Sequence, residues 1–392
     1  MSIPGRGGAV TARLFRKPKR LRGRHETQGA ANGENRSVKT LRLTVDPAHL
    51  DAVQAREALG RAAAILRGGG LVALPTETVY GLGANALDAA AVERIFAAKQ
   101  RPAWDPIIVH IAALERLDTM LDGLVQEIPA AARRLMKVFW PGPLTLLLPR
   151  TAAVPDVVTA GRPLVGVRMP AHPVAAELIR RAGVPVAAPS ANTFGRISPT
   201  TAAHVLQDLD GRIDAVVDAG PTVHGVESTV LDPCQSPMVI YRPGAVTEEQ
   251  IREAGGEVKL FRDGAEPITR PREALASPGL GMRHYAPKAR LVLVTASLSR
   301  MEQRLAEAAS KLSGERVGIM LPAEVNAPVE CTEIYPWGSW AAPDELARNL
   351  YAGLRALDER GCTVILCPAP PAEGLGAAIR DRLRKAAHPI RD

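Results

Sequence analysis

Two threonines, a lysine and an arginine two residues apart, and a histidine ending an apolar run have the types and spacing to do chemistry in this 392-residue chain. Thr76 and Thr78 lie in Pro75-Thr76-Glu77-Thr78-Val79-Tyr80-Gly81-Leu82-Gly83, so in extended chain both hydroxyls face one side. Gly81 and Gly83 predict a tight turn beside a ligand. Lys99 and Arg101 follow at a helix end, in Lys99-Gln100-Arg101-Pro102. Two cations there either stabilise the last helical carbonyls or neutralise phosphate, Arg101 through a planar pair of hydrogen bonds. His110 closes Ile107-Ile108-Val109 and is either a satisfied core histidine or a ligand contact. Together these groups describe a pocket for a small polar molecule and a phosphate.

Polar groups recur at other element ends. Arg168 closes Val165-Gly166-Val167, and a buried arginine there requires an anion, either a ligand carboxylate or a core aspartate. Ala187-Ala188-Pro189-Ser190-Ala191-Asn192 ends another strand in small residues that let backbone approach a substrate closely. Ser198-Pro199-Thr200 is a helix-start signal whose amides suit phosphate. Glu227-Ser228-Thr229 and Arg242-Pro243-Gly244 add a hydroxyl and a cation.

The elements that must position these groups alternate along the chain. Apolar spacing predicts helices over 51–67, 89–99, 172–182 and 201–209, with strands over 71–74, 107–111, 144–148, 165–168, 184–188, 215–218, 228–231 and 238–241. In 89–99, Val92, Ile95 and Phe96 form the inward face and Lys99 emerges at the end. This pattern predicts an α/β domain over 41–248 built on a twisted mixed sheet. After Gly244 the texture changes, and 249–289, rich in Pro, Gly and Arg toward its end, reads as a linker. From 290 to 392, strands at 291–294, 317–321 and 364–366 alternate with helices at 300–312, 343–360 and 377–387, predicting a smaller, Rossmann-like, mostly parallel sheet. Trp337-Gly338-Ser339-Trp340 is read as core or interdomain packing.

Charge sharpens the partner class. The sequence pI is about 9.6, but residues 1–40 hold ten Lys/Arg against two Asp/Glu, which accounts for the whole net charge of +8. The rest is neutral, with no aromatic stacking platform, which argues against a dedicated nucleic-acid module. The 1–40 segment reads as a disordered basic tail or an over-extended start before Val38, and it lacks the amphipathic face of a transit peptide. Cys234, Cys331, Cys362 and Cys367 have no CxxC spacing and are read as isolated buried thiols. With no membrane-length apolar run and no secretory signal, the expectation is a cytoplasmic protein without membrane contact.

The ordered set PTETVYGLG, KQRP, PIIVHI, FWPGPLT, VGVRMP, APSAN, SPT, ESTV and RPGA over 59–247 resembles the YrdC-like family. The segments SPGLGMRHYAP (277–287) and GLGAAIRDRL (374–383) are similar to its long, two-domain form. That resemblance implies ATP-dependent condensation of L-threonine with bicarbonate into threonylcarbamoyl-AMP, with release of pyrophosphate. The product would feed a partner transferase complex that modifies the adenosine next to the tRNA anticodon, and weak tRNA binding by the chain itself is compatible with this. Carried over by position, Thr78, His110, Arg168, Ser190 and Ser228 hold L-threonine. Lys99, Arg101, Asp105, Leu164, Ala188, Asn192, Ser198 and Arg242 line the ATP side, and Tyr285 folds over the nucleotide as part of a lid. Asp105 stands where the family has Asn, and Leu164 where Thr is common, so Asp105 meets a polyanion only through Mg²⁺ and Leu164 only through backbone.

The implied catalysis is electrostatic. Lys99 and Arg101, with Arg242 and the Mg²⁺ carried by ATP, clamp anionic reactants, and no covalent protein nucleophile or side-chain metal cage is called for. The paired CxxC fingers of the related hydrogenase-maturation carbamoyltransferases are absent from the sequence.

Overall fold

A computed structural model of the protein describes residues 39–112, 121, 123–261 and 284–387. The expected basic tail lies outside these residues except at its end, and so does the 277–283 part of the linker motif. Thr40 belongs to the folded body: it is buried and its Oγ1 donates to the Ile213 carbonyl at 3.1 Å.

In chain order the structure begins with β1 (Leu41–Thr44), α1 (Val53–Arg67), β2 (Val72–Pro75), β3 (Tyr80–Asn85), α2 (Ala89–Lys99), β4 (Val109–His110), α3 (Ala130–Phe139), β5 (Leu144–Pro149), α4 (Asp156–Thr159) and β6 (Leu164–Arg168). There follow α5 (Pro173–Ala182), β7 (Val186–Ala187), α6 (Ala202–Leu209), β8 (Ala215–Asp218), β9 (Thr229–Asp232), β10 (Met238–Arg242), α7 (Glu248–Gly255) and β11 (Val258–Leu260). The last part holds β12 (Arg290–Val294), α8 (Leu298–Ala309), β13 (Val317–Pro322), β14 (Glu333–Gly338), α9 (Pro343–Glu359), β15 (Val364–Pro368) and α10 (Leu375–Ala386).

The first eleven strands form one mixed sheet in the order β1-β8-β2-β3-β7-β4-β6-β5-β9-β10-β11. β2 shows why the sheet is covered on both sides. Its uninterrupted apolar run sends Ala73 to a core shared with α2, α3 and α6, while Val72 and Leu74 join a second core with α1 and α5. The parallel pair β4–β6 sets His110 opposite Arg168, which brings two of the expected site residues to one end of the sheet.

The second sheet is wholly parallel, in the order β12-β15-β13-β14. α8 packs Met301, Leu305 and Ala309 against one face. α9 and α10 pack Leu350, Leu354 and Ile379 against the other, in a core that also takes in Val79, Ile197, Val226 and Tyr285 from the first part of the chain. Trp337 is fully buried in that core, with Nε1 donating to the Leu346 carbonyl at 2.8 Å.

Several local expectations change. Gly81 and Gly83 form no tight turn but lie inside β3, where a Cβ on Gly83 would stand 2.9 Å from both Leu74 and Val186 side chains. α7, opened by a capping box between Thr247 and Gln250, and β11, paired to β10, extend the first domain to Leu260 through what reads in sequence as linker. β14 escapes notice because Pro336 and Gly338 interrupt it and its edge position leaves alternate residues exposed. Of the cysteines, Cys362 and Cys367 are buried but Cys331 is only partly so and Cys234 is exposed, because Cys234 follows β9 in a surface turn.

Candidate active site

α2 starts on Asp88, whose carboxylate accepts from the Ala90 and Ala91 amides at 3.0 and 3.2 Å. It ends on Gln100 in the left-handed conformation (φ 54°), and the reversal returns the Arg101 amide to the Phe96 carbonyl. The two cations thereby turn inward rather than capping the helix. Lys99, 1 % exposed, donates through Nζ to the carbonyls of Ser190 and Asn192. Burial, then the charge of Arg101, pushes its pKa well below the lysine range. Arg101 is buried against Asp105, 2.9 Å away, and donates to the Asp105 and Pro106 carbonyls.

The threonine pair is drawn together by a hydroxyl-closed turn rather than by extended alternation. Thr76 Oγ1 donates to the Val79 carbonyl at 2.7 Å and stands 2.9 Å from Thr78 Oγ1. Thr78 therefore donates to Thr76 and accepts from Arg168 Nη1 at 2.9 Å. Arg168 Nε donates to the Gly142 carbonyl, supplied by the Trp140-Pro141-Gly142-Pro143 turn, and Nη2 pairs with Glu77 at 2.6 Å. The anion that sequence required for Arg168 is thus Glu77, next to Thr78, rather than a core aspartate. Burial raises the Glu77 pKa, but Arg168 outweighs it and holds the carboxyl below its usual range.

His110 is 4 % exposed and its Nδ1 has no hydrogen-bond partner. Burial first, then Arg168, pushes its pKa down to about 3, so the imidazole is neutral. Ser228 Oγ sits 2.8 Å from Thr145 Oγ1 and accepts from Arg242 Nη2 at 3.0 Å. Arg242 also donates twice to the Ser228 carbonyl.

A cavity of about 60 Å³ gathers Thr78, Arg101, His110, Arg168, Ala188, Ser190, Ser228, Arg242 and Tyr285. Lys99, Asp105, Leu164, Asn192 and Ser198 are outside its wall. Lys99 and Asn192 hold the shape of the Ser190–Asn192 turn, Asn192 through Nδ2 to the Thr193 and Arg196 carbonyls at 2.9 Å. Asp105 lies behind Arg101 and 3.7 Å from His284. Leu164 packs with Ile108 and Leu147. The Ala188 amide already donates to the Ile108 carbonyl, so a ligand contact there falls to its carbonyl. Ser198 Oγ donates to Glu227 at 2.6 Å.

Sequence assigned no role to Glu77, Glu227 or His284, all of which line the site or pair with its residues, whereas Thr76, read there as a pocket hydroxyl, does line the cavity. The available signal was the number of arginines: each buried guanidinium needs an acid, and the motifs PTETV and ESTV carry one each. Among the described residues no three His, Cys, Asp or Glu side chains cluster as a metal site, and no helix is long and apolar enough to cross a membrane.

Residues 64–244 match a family model described as telomere recombination, and residues 246–388 match the model of the threonylcarbamoyl-AMP synthase C-terminal domain. The chain is 44 % identical over 327 residues to the threonylcarbamoyl-AMP synthase of Pyrococcus abyssi, covering 83 % of this chain and 92 % of that protein. It is 43 % identical over 330 residues to the threonylcarbamoyl-AMP synthase of Bacillus subtilis, covering 84 % and 92 %. Its fold is similar to the crystal structure of P. abyssi Sua5 complexed with L-threonine, at a TM-score of 0.80 and 41 % identity over 89 % of this chain and 98 % of that one.

Proposed function

The chain belongs to the threonylcarbamoyl-AMP synthase family, and on that premise we propose that the cavity between β2–β3, β4–β6 and the Ser190 turn is where its reactants meet. The reaction joins L-threonine, bicarbonate and ATP into L-threonylcarbamoyladenylate and releases pyrophosphate. The observation that carries the assignment is the meeting of Thr78, Arg168 and His110 with Arg101 and Arg242 around one small cavity.

Arg168 takes the threonine carboxylate, with Glu77 holding the guanidinium in place. The neutral His110 accepts from the substrate, and Thr78, Ser190 and Ser228 orient its polar groups. The threonine amine, once neutral, forms a bond to the bicarbonate carbon; the carbon's hydroxyl leaves as water with a proton from the amine, and a carbamate anion remains. The resulting carbamate oxygen attacks the α-phosphorus, and the bond to the pyrophosphate oxygen breaks. Arg101 and Arg242 offset the charge that collects there, and Lys99 acts by fixing the turn that faces it. Mg²⁺ arrives with ATP as part of the substrate: Glu77, Asp105 and Glu227 are each paired to an arginine, which leaves the ion to the phosphates and water.

Ser228 forms no covalent intermediate, because its hydroxyl partners are Thr145 and Arg242, neither of them a base. Tyr285, at a positive φ of 65°, and His284 roof the cavity. Their place on the cavity wall suits the expected cover of Tyr285 over the nucleotide. The adenylate then serves a transferase complex that modifies tRNA. The test is pyrophosphate release with ATP, bicarbonate and each amino acid in turn. L-threonine is expected to drive turnover, and equal release with L-serine or with no amino acid overturns the reading.

A further inference from the structure

Glu227 lines the cavity immediately before Ser228, yet it is 6 % exposed and receives its bonds from three separate elements. Ser198 donates to Oε1 at 2.6 Å, Tyr351 of α9 donates across both oxygens at 3.1 and 2.9 Å, and Arg382 of α10 donates to Oε2 at 2.7 Å. Arg382 is itself 1 % exposed, with its guanidinium 5.3 Å from the centre of the Tyr285 ring and Nη1 donating to Asp381 at 2.6 Å, an acid that Lys385 balances in turn at 2.9 Å. Burial opposes the charge on Glu227, but Arg382, followed by Arg242, outweighs it and brings the carboxyl pKa down to about 2. An ionised carboxylate therefore stands in the wall of a cavity that is to accept a triphosphate. Without a partner it would cancel the attraction of Arg242 and repel the incoming anion.

We propose that Arg382 is a positioning residue of the active site, reaching in from the second sheet to neutralise Glu227 and so preserve a positive wall for the triphosphate of ATP. This rests on the assignment of the cavity to adenylate synthesis. Glu227, thus balanced, holds Ser198 in place, and the α10 motif GLGAAIRDRL gains a chemical purpose in its Arg382. Tyr351 contributes hydrogen bonds but no charge, so it cannot substitute for the guanidinium.

The experiment measures kcat, KM for MgATP and KM for L-threonine on the full chain, together with calorimetric MgATP affinity and Tm. Arg382→Gln is expected to raise KM and Kd for MgATP about tenfold or more and KM for threonine less than about threefold, as loss of one close charge partner predicts. Arg382→Lys keeps the charge and should retain most of the affinity. Glu227→Gln removes the carboxylate and should leave MgATP affinity at or above the wild-type level. Combined with Arg382→Gln, it should restore the Kd to within about threefold of wild type. Equal rises in both KM values, additive losses in the double variant, or unchanged MgATP affinity in Arg382→Gln would each overturn the proposal. If Arg382→Gln does not fold, the lysine variant and the double variant decide by the same MgATP affinities. A wild-type protein that binds MgATP but releases no threonine-dependent pyrophosphate counts against the assigned reaction instead, while the binding series still tests Arg382.

Discussion

The two sheets bury charge in opposite ways. Around the first, Lys99, Arg101, Arg168 and Arg242 are all at most 9 % exposed, tied on one side to carbonyls or carboxylates, and three of the four present another side to the cavity. Among the described residues of the second sheet and its helices, only Arg355 and Arg382 are buried charges, and both point out of their own domain. Arg355 pairs with Asp208 at 3.1 Å and Arg382 with Glu227 at 2.7 Å. The second sheet's own core is apolar, so its buried cations serve the first. Desolvating a cation is costly unless a partner is built around it; Asp208 and Glu227 supply partners across the boundary, and Asp381 of α10 accepts a further bond from Arg382.

The largest expected effect is at Arg168. Arg168→Ala should lower kcat/KM for threonine by roughly 10²–10³-fold, since it removes the carboxylate clamp and leaves Glu77 buried without its cation. A loss below tenfold would place the carboxylate elsewhere. Lys99→Ala should cost well over tenfold in the ATP-dependent rate, because two carbonyls of the Ser190–Asn192 turn lose their common donor. Near-normal turnover would sink its role in shaping the phosphate side.

A change confined to the second sheet should behave differently. Trp337→Phe leaves the Leu346 carbonyl without its indole donor and should lower unfolding free energy by about 1–3 kcal/mol, visible as a lower Tm. The KM values of the protein that remains folded should not move, and a specific loss for MgATP would show that this core shapes the site more directly than its contacts indicate.

The smallest effect concerns pH. His284, buried between Phe194 and Tyr285, has its pKa pushed down to about 3 by burial first and Arg101 second. The folded state holds it neutral while the unfolded chain takes up a proton below its ordinary 6.5, so stability falls as pH drops from about 6.5 toward 3. His284→Asn should flatten the dependence of Tm on pH between about 6.5 and 5 relative to the wild type. An unchanged slope would assign that dependence to other groups, His110 foremost.

Much of the first domain is legible in its sequence because β2, α2, β6 and β8 carry strong local periodicity. β3 is not, since its glycines read as turn residues until Val186 and Leu74 are seen to crowd Gly83. α7 and β11 are hidden by weak apolar content next to a Pro- and Gly-rich stretch, although the Thr247–Gln250 capping box is a readable start signal. Within the site, the substrate-facing hydroxyls and cations announce themselves by motif. Whether each faces the cavity does not: Lys99 and Arg101 are two residues apart, yet Arg101 lines the wall and Lys99 stands behind it.

By itself the sequence determined most of the element types, the neutral body behind a basic start, and the motif residues whose donors and acceptors suit threonine and phosphate. Those properties are local, set by side-chain chemistry and by spacing along a few turns. Only the tertiary structure decided how the charges are balanced. Glu77 answers Arg168 from 91 residues away and Glu227 answers an arginine 155 residues away, because such pairings depend on where packing brings separate elements together.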